Sequence, residues 1–262
     1  MAPLTFEHTP PRAAYNDYPA VLSKFEDWET GYGSEYVRDG RGGHVLCGDC
    51  NHRTGGSYGG AFVEWSRIGM ERLYQVRGKR SLNFHGDIYP LRVLKQIATI
   101  FFATCQPEFR SRHPELERFV LDERRTGLPE HYDFRVFWYG GGSLRQTGVV
   151  GALNTATGNV HVLAEFVHPP FGYVLSFDTP PGEHWPERIS DFSRYDYDTR
   201  ISLNRRFPVL ETHWIIPGDY RTQEEIRRDQ MINALDEHGV RNPQEIVAEM
   251  ERVGMEYNPD AI

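Results

Sequence analysis

YDFRVFWYGGGSLRQTGVVGALNTATGNVHVLAEFVHPPFGYVLSFD, residues 132–178, decides the fold class. Its apolar residues recur with a period near two, the spacing that places alternate side chains on one face of an extended strand. The pattern predicts strands at 132–139, 144–153, 159–167 and 172–178. NTATG, at 154–158, supplies the turn between two of them. Strands in succession joined by short turns imply an antiparallel sheet. The glycines at 140–142 lack the Lys-Ser/Thr that opens a helix after a phosphate-binding loop, so they read as a strand break.

Helices flank this stretch. Upstream, Pro90 suits a first helical turn, and Leu91, Leu94, Ala98, Phe101, Phe102 and Cys105 form one apolar face. A short helix follows at 114–123. Downstream, a further strand is expected at 209–216. Thr222 with Glu225 makes a capping box for a helix to about residue 238. Asn242, Pro243 and Glu245 open another, to about 253.

Residues 1–75 read differently. They are rich in Gly, Pro, Tyr and Asp, and GYGSEYVRDGRGG at 31–43 reads as a long loop. Phe62 and Trp65 then begin a helical pattern over 61–73. The chain is therefore expected to divide into 1–75 and 76–262, with an overall α+β class: a small N-terminal module, then a helix plus antiparallel-sheet domain with C-terminal helices.

Aromatic residues make up 13% of the 262 and charged residues 25%, a globular profile. A net charge of −8 argues against a protein that coats nucleic acid, because such proteins displace counterions with basic surface. It leaves room for a local basic groove or a bound cation. No apolar run reaches the roughly 18 residues that span a bilayer, so no membrane partner is expected. The N-terminus has no basic or apolar signal region. With three cysteines and no disulfide framework, a reducing cytoplasm is the expected compartment.

Two short segments carry chemistry. LTFEHTPP, at 4–11, runs from apolar residues into Glu7-His8 and proline. HVLCGDCN, at 44–51, ends in Cys47-x-x-Cys50-Asn51. A histidine can take a proton from water near neutral pH, and a neighbouring carboxylate can hold a hard cation. Alone, each piece is unspecific: His8 reads as a strand-end histidine, the cysteines as buried thiols or zinc ligands, Asn51 as a cap residue.

In this order they resemble the HNH (ββα-metal) endonucleases, over about the first 70 residues. The resemblance implies a strand, a second strand and a helix. It implies His8 as general base, Glu7 as ligand to a catalytic divalent metal such as Mg2+, and Asn51 as the brace that orients His8. It implies Cys47 and Cys50 as ligands to a structural Zn2+, and double-stranded DNA as substrate.

The sequence departs from the family at three places. A second Cys-x-x-Cys does not precede Glu7, so His44 and His52 are the nearest candidates to complete a zinc site. The third motif position falls on Gly59 or Gly60, which have no ligating side chain; Ser57, Tyr58 and Glu64 are the nearest polar residues. Glu7 stands where Asp is more frequent. The expected function is metal-dependent DNA cleavage. The alternative is a non-catalytic zinc-binding module that recognises nucleic acid or a protein partner. His161, His168, His184 and His213 lack ligand spacing and read as core or surface residues.

Overall fold

The computed structural model describes residues 3–27, 29–141, 144–153, 158–177, 186–210, 228, 231–232, 235 and 239–252. The chain begins with β1 (Leu4–His8), β2 (Ala20–Asp27), β3 (Gly31–Val37) and β4 (Gly42–Cys47). Helices α1 (Gly48–Thr54) and α2 (Gly60–Met70) follow, then β5 (Ser81–Ile88) and helices α3 (Pro90–Thr104), α4 (Glu108–Arg112) and α5 (Pro114–Leu121). The remainder is β6 (Tyr132–Trp138), β7 (Leu144–Leu153), β8 (Val160–His168), β9 (Phe171–Phe177), β10 (Glu187–Arg188), β11 (Ile201–Pro208) and α6 (Pro243–Arg252). The class is α+β.

Seven strands form the main sheet, in the order β10-β6-β9-β8-β7-β2-β3. Every pairing in it is antiparallel except β2 with β7, where Leu22 lies beside Leu144 in parallel. The central strands bury both faces. Phe134, Val136, Trp138, Phe166, Phe171 and Tyr173 join the core shared with α2 and α3. Phe137, Leu163, Val167 and Val174 form a second cluster. The alternation read from the sequence is therefore apolar on both sides, as expected for interior strands.

The helices fit for simple reasons. Leu91, Leu94, Ala98 and Phe101 of α3 are buried at helical spacing, and Pro90 occupies the first turn. In α2, Phe62, Trp65, Ser66 and Gly69 are buried. The Trp65 ring lies 4.3 Å from Phe84 and 4.9 Å from Phe171, and its Nε1 donates to the Tyr173 hydroxyl at 2.9 Å. The aromatic bulk is thus buried with its one polar group satisfied. Inside the sheet, Arg145 grips fully buried Glu165 through two hydrogen bonds of 2.6 Å.

Several expectations need correction. Residues 31–43 are not a long loop: they hold β3 and the start of β4. Tyr32, Tyr36 and Val37 are strand formers, and pairing with β2 outweighs the two glycines among them, Gly31 and Gly33. The strand β2 was not expected. The strand sought at 209–216 lies earlier, as β11, where it pairs with β5; Val209 makes only a bridge to Trp138, and 211–216 fall outside the described residues. The turn at 154–157 and the helix opened by Thr222 fall outside them too, apart from a few positions; α6 matches the last expected helix. The expected boundary at 75 crosses a shared core, because β2 and β3 enter the main sheet and Tyr58, Phe62 and Trp65 pack with Phe84 and Ile97. Among the described residues, no helix is long and apolar enough to cross a membrane.

Candidate functional site

Strands β1 and β4 pair antiparallel in a sheet of their own, and α1 begins at once after β4. The register runs Thr5↔Leu46, then Phe6↔His44, so Val45 is bulged out. A bulge bends the strand and re-aims its side chains. Asn16 ties the two ends of the intervening segment together. Its Nδ2 donates to the carbonyls of Pro10 and Arg41 at 2.7 Å each, and its Oδ1 accepts from the Arg41 amide at 2.6 Å. Gly42 is required opposite His8: a Cβ there would lie 2.4 Å from the Glu7 carbonyl oxygen.

Alternation sends Thr5 and Glu7 to one face of β1, and Phe6 and His8 to the other. Asn51, in α1, reaches the first of these. Its Nδ2 donates to Thr5 Oγ1 at 3.3 Å and to the Phe6 carbonyl at 3.4 Å. Both bonds are long, but they fasten the helix to the strand one residue from Glu7. On the other face, Phe6 meets His8 edge-on at 5.2 Å and His44 at 5.5 Å.

Glu7 is 8% exposed and its Oε2 is buried without a hydrogen-bond partner. Burial raises its pKa from the ordinary 4.5 to about 7. Nδ1 of half-buried His8 is unpartnered as well. Burial and then the Arg12 charge lower the pKa of His8, against the opposing pull of Asp39 and Asp17. His8 is therefore neutral near pH 7, the state in which it can accept a proton.

The expected metal ligands do not assemble as a set. Cys47 is the N-cap of α1 and Cys50 the third residue of that helix. His44 turns its ring to Phe6, and His52 is exposed. Among the described residues, no three His, Cys, Asp or Glu side chains converge on a point that could hold a metal ion. Two thiols alone do not make a four-ligand zinc site, so the expected zinc does not fit these residues. Glu7 does fit one hard-cation contact, since its buried oxygen lacks a partner.

Gly59 and Gly60 lie within a helix that runs unbroken over residues 48–70, with Gly55–Gly59 forming a π-helical turn between α1 and α2. A Cβ at Gly59 would come 4.0 Å from Pro11, so the third motif position passes under the end of β1 without offering a ligand. The nearby polar residues are engaged elsewhere. Ser57 donates to Glu123 at 2.7 Å, Tyr58 to the Val120 carbonyl at 2.6 Å, and Glu64 pairs with Arg200 at 2.7 Å.

Sequence reasoning missed Arg41. It is 3% exposed, lies over Phe166 at 4.2 Å and donates to Gln146 at 2.5 Å, while Nη1 is unpartnered. Burial brings its pKa down to about 9. Together, burial and Arg41 push His168 down to about 4. Nothing in the sequence marks Arg41, since a charged residue in a glycine-rich stretch reads as solvated.

Comparison of the chain with protein-family models, curated proteins and solved structures gave no significant match in any of the three.

Proposed function

We propose that the protein is a metal-dependent endonuclease of HNH-like (ββα-metal) type that hydrolyses DNA phosphodiester bonds. The observation that carries the reading is the Asn51 clasp: one strand–strand–helix unit holds Glu7, His8 and Asn51 within a few residues of a shared hydrogen bond. DNA as the substrate comes from the family resemblance, not from the geometry.

In this reading neutral His8 takes a proton from water. The resulting hydroxide attacks phosphorus, one ester oxygen leaves with its bonding electrons, and solvent protonates it. Asn51 restrains β1, and with it the direction of His8. Glu7 would hold Mg2+ or a similar cation, which neutralises charge on the phosphate when bound. A hard cation with a single carboxylate keeps several waters and uses substrate phosphate as a further ligand. Binding is therefore weak without DNA.

The test is incubation of the full chain with supercoiled plasmid under Mg2+, Mn2+, Ni2+ or EDTA. Metal-dependent nicking or linearisation is expected, reduced at least about 100-fold in His8→Ala. A folded His8→Ala protein with full activity sinks the assignment. The bare position at Gly59 favours a second reading, a nucleic-acid-recognising module without catalysis. Retarded DNA with no cleavage in any metal supports that reading instead.

A further inference from the structure

Three features lie outside this mechanism: buried Arg41, whose Nη1 lacks a partner, an apolar cleft beneath β4, and the Cys47–Cys50 pair at the edge of that cleft. The first is already engaged by Gln146 and the Phe166 ring. The other two belong together. We propose that Cys47 and Cys50 form a reversible thiol–disulfide pair, oxidised by small-molecule disulfides, rather than a zinc site.

Placement makes the case. As N-cap of α1, Cys47 has an extended backbone, φ −68° and ψ 157°, which turns its side chain back over the first helical turn. Cys50 sits where an N-cap side chain reaches. Each thiol perturbs the proton affinity of the other, which sets the two sulfurs side by side across the first turn. Disulfide formation demands such proximity, and a zinc site would demand two further ligands that the described residues do not bring.

The two thiols differ as an attacking and a resolving cysteine must. The adjoining Cys50 lowers the pKa of the partly exposed Cys47 thiol. Burial and the adjoining Cys47 raise that of Cys50. Cys50 lines the cleft, about 240 Å3, whose wall includes Leu46, Phe102, Val120 and Leu121. Arg110 also lines the cleft and is held in place by Glu117. The third cysteine, Cys105, lines the same cleft, but burial pushes it up to about 12, which keeps it a thiol.

The reaction balances in two exchanges. The Cys47 thiolate attacks one sulfur of the small disulfide, releasing half of it as a thiolate, which takes up the proton lost by Cys47. A mixed disulfide remains. Cys50 then loses its proton and attacks Cys47 Sγ, expelling the second half as a thiol. The protein is oxidised by two electrons and the small disulfide is reduced to two thiols.

The test uses the full chain, purified under reductant, desalted and exposed to oxidised glutathione, with neither DNA nor added metal. It is therefore independent of the nuclease reading. The wild type should lose two of its three titratable thiols and retain no glutathione. Cys50→Ser should trap one glutathione on Cys47. Cys47→Ser should react at least about 10-fold more slowly than Cys50→Ser. The proposal is overturned if freshly purified protein carries about one zinc per chain with both thiols unreactive until a chelator is added. It is equally overturned if glutathione accumulates on the wild type without an internal disulfide, or if the two single variants react at the same rate.

Discussion

Two buried glutamates separate the scaffold from the candidate site. Glu165 lies in the main sheet, fully buried, with both oxygens held by Arg145 at 2.6 Å. Glu7 lies on the small β1–β4 sheet, nearly as buried, with one oxygen unpartnered and a pKa raised to about 7. A buried charge that is paired fixes a structure. A buried carboxylate left alone lowers stability, and a fold retains it where something else is to be held.

The largest expected effect lies on the paired side. Glu165→Gln leaves the Arg145 guanidinium buried without its carboxylate, and should lower stability by about 3–5 kcal/mol in urea unfolding. A loss under about 1 kcal/mol would mean that the pair is not what distinguishes the two sites.

On the unpaired side the sign reverses. Folded Glu7 has a pKa above that of the unfolded chain. Between about 4.5 and 7 the native state therefore binds more protons, and this group's contribution falls as pH rises through that window. Glu7→Gln should stabilise the protein by about 1–3 kcal/mol at pH 8 and by almost nothing at pH 4, checked by urea unfolding at both. Mg2+ should raise the thermal midpoint of the wild type at pH 8 but not that of Glu7→Gln.

A kinetic version follows from the same proton. If Glu7 must ionise to hold a cation, the cleavage rate at low Mg2+ should climb as pH rises through about 7. Raising Mg2+ should shift that midpoint downwards, because cation and proton compete for one carboxylate. A midpoint indifferent to Mg2+ would separate Glu7 from the metal. The smallest effect belongs to the clasp. Asn51→Ala removes two long hydrogen bonds and should cost about 1 kcal/mol of stability, with cleavage down by about 10-fold.

How much of this was legible in the sequence depends on the range of the deciding interaction. The alternation over 132–178 carries its own signal, and β6 to β9 lie close to where it placed them. The helix from Pro90 was equally plain. By contrast, β2 owes its state to a partner far along the chain, Leu22 beside Leu144, and went unread, while glycines and charged residues gave β3, which pairs with β2, the look of a loop. At the site, the order of Glu7-His8 and Cys47-x-x-Cys50-Asn51 marked residues that the fold does bring near one another. For zinc, the described residues bring together the two thiols without two further ligands, because spacing sets two thiols side by side but does not recruit the rest of a site. Asn16 and Arg41 were invisible, since both act through the backbone and packing of a segment with no periodicity.

The insertion of β2 and β3 between β1 and β4 has a consequence for the closure of the small sheet. Residues 9–41 leave the small sheet, run along the edge of the large one and come back. A free loop of that length would set a sizeable entropic toll on closing β1 against β4. With β2 and β3 paired into the edge of the large sheet, most of that loop is fixed in the folded chain, so the span left free between β1 and β4 is short. Loss of that edge would return the full loop, and its closure entropy, to the β1–β4 pairing.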